Sequence, residues 1–313
     1  MKKLLVLATA IALAVMPAFA ARIKVGVINN DPNESGYRTA NVKDFEKVFT
    51  KKNGYDLKKF YSLNNDEQLQ AARKFIQDEV DYLLISAADM AGWEPVLKDA
   101  KDNGIEVILF DRLLEADPSL YKAAIVSNMP AEGETAVKWL ASQNLKEYKI
   151  IHIQGAMGSA AQEGRTGALD EMVKSNDNWE YVTQQTATWN ADTAQQIVEA
   201  VISSGKDFNV IYAENDGMAQ GAVKALDKAG ITHGVNGKVI IMGFDCNKFA
   251  LREVLAGRWN YDGQCNPFQA ETINQIIKGK LKVPASKIIY SVEKGFDAKT
   301  IKKSDIDKYG LGE

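Results

Sequence analysis

Short apolar runs alternate with amphipathic segments along most of the chain. The runs are rich in β-branched residues and lack the strict polar–apolar alternation of half-exposed strands. This pattern is typical of strands buried on both faces of a parallel sheet. The strands predicted in this way lie at residues 23–28, 55–61, 81–85, 106–110, 123–126, 149–153, 209–212 and 239–242, with a further strand-like stretch at 181–189.

Segments with helical spacing separate these runs. Apolar residues within 69–80 recur every three or four positions behind Asn65, a predicted N-cap that has Gln68 three residues later. A similar pattern over 218–226 ends before Gly230, a natural helix stop. Alternating strands and helices predict parallel sheets with right-handed crossovers. The predicted fold class is therefore α/β, with two doubly wound parallel-sheet lobes joined by a multi-strand hinge.

The two predicted lobes are not divided by a linker rich in Pro, Gly or Ser. We therefore expect the chain to cross between them several times, near 127–130, 262–266 and 284–288. The predicted N-terminal lobe comprises residues 21–127 and 265–285, and the predicted C-terminal lobe comprises residues 128–264 and 286–313.

The first twenty residues have the features of a signal peptide. Lys2 and Lys3 give a basic start, 4–16 is apolar, and Ala18 and Ala20 form a small-x-small cleavage pattern. The apolar run is too short to span a bilayer comfortably, and a buried N-terminal helix is the alternative. We predict cleavage after residue 20 and export to the periplasm. With no Cys at the cleavage point, a lipid anchor has no attachment site.

Length and charge exclude several classes of function. The mature chain is too long for one ordinary core and suits two lobes. Removing Lys2 and Lys3 changes the formal charge from −3 to −5, which makes nucleic acid or an anionic membrane a poor partner. Two histidines lie far in sequence from Cys246 and Cys265, whereas zinc requires a denser cluster, so we expect no metal and no cofactor. A Cys246–Cys265 disulfide is left open.

Paired acids and arginines follow two of the predicted strands. In open parallel sheets, ligands bind beyond the carboxyl ends of the strands. Glu34 and Arg38 are four residues apart after the first strand, and Asp111 and Arg112 follow the fourth. A sugar hydroxyl donates to one group and accepts from another, so a carboxylate beside a guanidinium suits it. A capped helix with a local ion pair, or a solvated turn, would account for the same residues.

A glycine-containing loop follows the strand at 149–153. Gly155 and Gly158 would let the backbone approach a ligand closely, and Arg165 lies on the helix that follows. The spacing of these glycines is not the dinucleotide fingerprint, and no Lys-Ser or Lys-Thr follows as in a P-loop. The sequence therefore argues against nucleotide binding.

Four further candidates lie at other strand ends. Trp189 could stack on the C–H face of a sugar or pack in a core, and Asn215 could bind a hydroxyl or cap a helix. Asp245 follows the strand at 239–242, and Gln264 offers an amide near the proposed hinge. Together the candidates include as many arginines as acids, a balance that fits a neutral polyhydroxyl ligand better than a phosphate, an amino acid or a metal.

These motifs resemble those of the ribose- and galactofuranose-binding family of periplasmic receptors for ABC sugar importers. The resemblance covers essentially the whole mature chain and is nearest to the galactofuranose-binding branch. It is carried by ESGYR at 34–38, GWEPVLK at 92–98, DR at 111–112, GAMG at 155–158 with Arg165, YAEND at 212–216 and GFD at 243–245.

The resemblance implies a sugar site and a membrane partner. Its implied ligand-binding residues are Glu34, Arg38, Asp111, Arg112, Arg165, Asn215 and Asp245. It also suggests that Trp189 takes the stacking position and that Gln264 supplies a hinge amide. The expected protein is a monomer that closes around one neutral monosaccharide and delivers it to an ABC permease.

The same sequence features suggest three further functions. An exported sugar-processing enzyme could use paired carboxylates, but arginines beside them would hold them ionised and unfit as proton donors. A cytoplasmic sugar-responsive repressor would need a DNA-binding segment where the signal peptide lies. A loaded receptor that also docks on a chemoreceptor is compatible with the first function.

Overall fold

The computed structural model describes residues 21–312. The predicted signal peptide, residues 1–20, lies outside the described residues. Within 21–312, no helix has the length and apolar character needed to cross a membrane.

The strands form two separate sheets. In chain order they are β1 (Ile23–Asn29), β2 (Tyr55–Tyr61), β3 (Tyr82–Ile85), β4 (Glu106–Asp111), β5 (Ala123–Val126), β6 (Tyr148–Gln154), β7 (Trp179–Thr186), β8 (Val210–Ala213), β9 (Ile240–Phe244), β10 (Tyr261–Gly263), β11 (Ile288–Tyr290) and β12 (Gly295–Asp297). The first sheet has the order β11-β5-β4-β3-β1-β2 and the second has the order β12-β10-β9-β8-β6-β7.

Both sheets are doubly wound, and the predicted fold class is confirmed. Neighbouring strands are parallel in both sheets, except that β12 pairs antiparallel with β10. Apolar clusters cover both faces of each sheet, which explains why the strand sequences lack alternation.

In chain order the helices are α1 (Gly36–Val48), α2 (Asn65–Gln77), α3 (Glu94–Asp102), α4 (Met129–Ala141), α5 (Ala160–Ser175), α6 (Ala191–Ser203), α7 (Asp216–Lys228), α8 (Lys248–Leu255), α9 (Ala270–Ile277) and α10 (Lys303–Tyr309).

Helix α2 begins one residue earlier than expected from the prediction that Asn65 is its N-cap. The N-cap is Asn64, whose side chain accepts from the Glu67 amide at 3.1 Å, so Asn65 is the first helical residue. Gln68 is buried and donates to the carbonyl of Asn29 at 3.1 Å, which ties the helix to the end of β1. The predicted capping pair is therefore wrong: Gln68 supports a strand-end loop.

The chain crosses between the lobes three times, and the third crossing differs from the prediction. The first crossing lies at 127–128 between β5 and α4, and the second lies at 264–269 between β10 and α9. The third lies at 291–294 between β11 and β12, not near 284–288. Strand β11 pairs with β5, so residues 288–290 belong to the first lobe. A three-residue strand is too short to give a periodic signal.

The two lobes touch across the cleft. Met90 of the first lobe donates its amide to the carbonyl of Gly158 in the second at 3.1 Å. A Cβ on Gly36 would overlap the side-chain oxygen of Asn247. Tyr37, near the start of α1, packs into the apolar cluster of the second lobe. The structure is therefore that of a closed pair of lobes.

Helices α4 and α5 approach each other through glycine. A Cβ on Gly164 would lie 2.5 Å from the carbonyl carbon of Met129 and 2.7 Å from the nitrogen of Pro130. The small residue before Arg165 thus allows α5 to lie directly against the start of α4, next to the first crossing.

We expect Gly164→Ala to destabilise the second lobe by about 1–3 kcal/mol, because the added methyl group forces two packed backbones apart. Gly167, on the exposed side of the same helix, has open space around an added Cβ. The matched Gly167→Ala should instead raise the free energy of unfolding by about 0.5–1 kcal/mol. Denaturant unfolding of both variants measures this, and similar effects from the two would contradict the close approach.

Candidate functional site

A small cavity lies between the lobes, at the carboxyl ends of the strands of both sheets. Eight of the nine predicted site residues line it. The complete lining is Glu34, Ser35, Tyr37, Arg38, Asp111, Arg112, Met129, Ala161, Arg165, Trp189, Asn215, Asp245 and Cys265.

Asp111 organises the wall formed by the first lobe. Its carboxylate accepts hydrogen bonds from Tyr37 at 2.8 Å, Arg38 at 2.8 Å, Ser86 at 2.6 Å and Arg112 at 2.9 Å. Burial alone would raise the pKa of Asp111, but Arg112 and Arg38 together hold it well below its usual range. This carboxylate is therefore ionised and its two arginines are fixed in place.

Arg38 is held from several sides and is almost fully buried. Besides Asp111, its guanidinium donates to Asn29 at 2.7 Å and Ser86 at 3.2 Å. Its Nε lies 3.4 Å from Oε2 of Glu34, an oxygen with no hydrogen-bond partner in residues 21–312. Burial disfavours the charged form of Arg38, but Asp111 and Glu34 outweigh this effect and raise its pKa. Glu34 thus lines the cavity with an oxygen that has bonding capacity left.

Arg165 has the same role in the wall formed by the second lobe. Its Nε donates to Glu132 at 2.9 Å, its Nη2 lies 3.3 Å from Asp245, and its Nη1 donates to the carbonyl of Glu214. The guanidinium carbon lies 4.7 Å from the ring centre of Phe244. Glu132 was not predicted, because the candidate residues were those that follow predicted strands and Glu132 lies inside α4.

Asp245 differs from Asp111 in its protonation. Burial raises the pKa of Asp245 to about 7, and pairing with Arg165 only partly opposes that rise. The expectation that neighbouring arginines keep every acid of the site ionised is therefore wrong for Asp245. With a pKa near neutrality, this carboxyl can donate or accept a hydrogen bond under physiological conditions.

The indole of Trp189 rests on Gly155. A Cβ on Gly155 would overlap the far edge of the Trp189 ring. Gly158, with a φ of 80°, instead lies against Asp89 of the first lobe. Both glycines were expected to let backbone approach a ligand, and neither is among the residues that line the cavity. Gly155 makes room for the aromatic ring, and Gly158 makes room for the opposite lobe.

Three cavity residues have left-handed backbone conformations that non-glycine residues rarely adopt. Asp111 has a φ of 66°, Trp189 a φ of 67° and Asp245 a φ of 104°. Each such backbone conformation costs on the order of 1–3 kcal/mol. It persists only where the surrounding contacts hold the residue in place. Each also lies at or just after a strand end, where the strained backbone turns the side chain into the cleft.

Asn215 fits both interpretations of its sequence position. Its side-chain oxygen accepts from the Met218 amide at 2.8 Å and caps α7. Its amide nitrogen lies 3.5 Å from the carbonyl of Trp189, and the residue lines the cavity. A helix cap therefore holds the amide at the edge of the site.

Gln264 is not brought to the site. It lines a separate cavity at the hinge, together with Asn128 and Glu293, and the next residue, Cys265, faces the central cavity instead. Gln264 thus lies at the hinge, as predicted, and faces a cavity other than the one lined by the remaining eight candidates. Cys246 and Cys265 are free buried thiols, so the disulfide that the sequence left open is not formed.

Several lining residues were not predicted. Tyr37 lies inside the ESGYR motif and could have been found from its neighbours Glu34 and Arg38. Met129 and Ala161 carry no chemical signal in the sequence, and Cys265 was considered only as a disulfide partner or metal ligand.

The periplasmic binding protein domain family matches residues 25–281. The chain belongs to this family. A curated relative, the fructose import binding protein of Bifidobacterium longum, is 32% identical over 90% of this chain and 86% of its own. The galactofuranose-binding protein of Escherichia coli is 31% identical over 74% of each chain. The resemblance to the sugar receptors of this family is confirmed.

A solved structure supports the same conclusion. The periplasmic binding protein component of the arabinose ABC transporter from Shewanella sp. ANA-3, bound to α- and β-L-arabinofuranose, is 26% identical with a TM-score of 0.81. The match covers 91% of this periplasmic binding protein and 95% of that chain.

We expect Asp111→Asn to lower the free energy of unfolding by about 3–5 kcal/mol, because it removes the buried charge that neutralises Arg38 and Arg112. Asparagine tolerates the left-handed backbone, so strain is not the cause. The pKa of Asp111 is lower in the folded state than in the unfolded state. The Asp111 carboxylate therefore makes its full contribution to the free energy of unfolding above the ordinary pKa of about 3.9. This contribution is lost only as the pH falls through the lower folded-state pKa.

Urea unfolding at pH 7 and at mildly acidic pH measures the effect of Asp111→Asn. Asp99→Asn, at an exposed position of α3, is the control and should change little. A loss for Asp111→Asn no larger than that of the control would contradict its organising role.

Proposed function

We propose that this periplasmic binding protein captures one neutral monosaccharide in its furanose form and delivers it to an ABC sugar importer. The observation that carries the proposal is the charge-balanced cavity closed by both lobes. On the first lobe, Glu34 and Asp111 face Arg38 and Arg112, and on the second lobe Glu132 and Asp245 surround Arg165.

A neutral polyol suits this cavity better than a charged ligand. Every arginine at the cavity is already paired with a carboxylate of the protein, so a phosphate or a carboxylate would find no unmatched cation. Hydroxyl groups can accept from the guanidinium groups and donate to carboxylate oxygens at the same time. The ring of Trp189 can then stack on the C–H face of the sugar.

The furanose form is favoured by two of the relatives. One binds galactofuranose by name, and one holds arabinofuranose in its solved structure. The cavity is small and enclosed between the two lobes, which suits one monosaccharide better than a longer chain. We therefore infer a furanose-forming pentose or hexose as the substrate class.

Capture depends on closure of the two lobes. A sugar shifts the equilibrium toward the closed form only through contacts that it makes better there, and the two walls supply separate sets of hydrogen bonds. Hydrogen bonds to charged groups contribute about 1.5–3 kcal/mol each before ordering costs. A few of them suffice for sub-micromolar affinity, which corresponds to roughly −8 kcal/mol or better.

We assign the hydrogen-bonding roles to residues of both lobes. The proposed ligands are Glu34, Arg38, Asp111, Arg112, Arg165, Asn215 and Asp245, with Trp189 as the stacking residue. The protein is proposed to act in the periplasm as a monomer, after removal of residues 1–20, and to hand its sugar to a permease without chemical change. Incubation with aryl and alkyl furanosides should therefore yield no free sugar.

A thermal-shift screen tests the proposed function. D-fructose, L-arabinose, D-galactose, D-ribose and D-xylose are compared, with glucose 6-phosphate as a charged control. At a sugar concentration one hundred times Kd, binding stabilises the protein by about 2.7 kcal/mol. At least one neutral sugar should raise Tm and the phosphate should not; no shift from any neutral sugar would refute the proposal.

Arg112→Ala should abolish that shift while leaving the protein folded. Asp111 loses one partner in this variant but keeps Arg38, Ser86 and Tyr37. Arg73→Ala removes an exposed arginine from α2 of the same lobe and is the matched control. Unchanged sugar affinity in Arg112→Ala, measured by calorimetry, would remove this residue from the site.

Sugar binding should also change the tryptophan fluorescence, because Trp189 lines the cavity whereas Trp93 is buried in the first lobe. The change should be lost in Trp189→Phe and kept in Trp93→Phe. A response that survives in Trp189→Phe would show that the indole does not meet the sugar.

A further inference from the structure

Three side chains meet at the hinge, two of them from chain crossings and one from the start of a helix that follows a crossing. Glu132 lies in the first turn of α4, just past the first crossing, Cys265 lies in the second crossing, and Glu293 lies in the third. One polar or sulfur atom of each lies within 4.8 Å of the others. We call these three residues the hinge cluster.

Hydrogen bonds tie the hinge cluster to the crossing segments themselves. One oxygen of Glu293 accepts from the hydroxyl of Ser127, in the first crossing, at 2.6 Å. The same oxygen accepts from the amide of Asn266, in the second crossing, at 2.7 Å. The sulfur of Cys265 lies 3.5 Å from the Ser127 hydroxyl. Glu293 therefore connects all three crossings in the closed structure.

Glu132 connects the hinge cluster to the central cavity. Its Oε2 accepts from Nε of Arg165 at 2.9 Å and lies 2.8 Å from Nη2. Its Oε1 is buried and has no hydrogen-bond donor among residues 21–312. The carboxyl group thus bonds a cavity-lining arginine through one oxygen and has a second oxygen without a partner.

The charges around the hinge cluster do not balance if every acid is ionised. Glu132, Glu293 and Asp245 are three carboxyl groups, and the cation among them is Arg165. Lys294, the neighbour of Glu293, lies 3.5 Å from Asp305 instead. Two buried carboxyl groups at close range repel each other when both are ionised, so one of them retains a proton. The charged and titratable groups around the pair are Arg165, Asp245, Tyr261 and Cys265.

We propose that Glu132 and Glu293 share one proton in the closed form, and that Glu132 is thereby the positioning residue that couples closure of the hinge to the placement of Arg165. This inference rests on the proposed function, because it takes Arg165 to be a sugar ligand. The proposal requires that opening of the lobes moves Glu132 away from Glu293, so that the pair no longer needs the proton.

The protonation of the two acids agrees with this geometry. Burial raises the pKa of Glu132 to about 8 and also raises the pKa of Glu293. A carboxyl group whose pKa is raised in the closed form favours that form below its ordinary pKa and loses this effect as pH rises through about 8. Sugar affinity should therefore fall as the solution becomes alkaline.

The test is the pH profile of sugar affinity in Glu293→Gln. The glutamine amide can donate permanently to Glu132, while its oxygen keeps the bonds from Ser127 and Asn266. Calorimetry uses whichever of D-fructose, L-arabinose and D-galactose gives the largest thermal shift. We expect the wild type to bind about tenfold more weakly at pH 9 than at pH 7, since a single linked proton with a closed-form pKa of about 8 is lost between these two values. We expect the sugar affinity of Glu293→Gln to change by about twofold or less over that range, because the amide carries no charge and donates to Glu132, and both effects lower the pKa of Glu132.

Glu134→Gln, an exposed acid on the same helix, is the matched control and should keep the wild-type profile. Equal pH slopes in the wild type and in Glu293→Gln would assign the dependence to Asp245 and overturn the shared proton. A slope that disappears on adding a chelator would assign the charge balance to a metal ion and overturn it too. Failure of the wild type to bind any of the sugars at any pH would refute the proposed function as well.

Discussion

The structure depends on the pairing of buried arginines with carboxylates on either side of one cleft. Arg38 and Arg112 share Asp111 in the first lobe, and Arg165 lies between Glu132 and Asp245 in the second. An unpaired buried charge would cost several kcal/mol, so every arginine of the two walls has a carboxyl partner in its own lobe. Each wall is therefore held in shape by its own lobe, and the ligand does not have to assemble it.

Fixed walls also explain the strained backbone at the strand ends. Residues such as Asp111 and Asp245 have left-handed conformations because a strand that simply continued would carry their side chains past the cleft. The hydrogen bonds that these carboxylates accept from arginine hold the backbone in its costly geometry. Strain and charge pairing are thus parts of one arrangement.

Much of this arrangement could be predicted from sequence, because parallel strands place their following residues at one edge of a sheet. That rule located Asp111, Trp189 and Asp245 without knowledge of the fold. It could not locate Glu132, which reaches the site from inside a helix through Arg165. It placed Gln264 at the hinge but could not show that this side chain faces a cavity other than the central one.

The position of Glu132 makes the hinge and the second wall one mechanical unit. Helix α4 starts directly after the first crossing, and α5, which carries Arg165, touches it without intervening side chains at Gly164. A rotation at the hinge that moved α4 alone would break the pair between Glu132 and Arg165 and leave both charges buried. The lobe must therefore move as a rigid body, and the energetics of the crossings act directly on an arginine that lines the cavity.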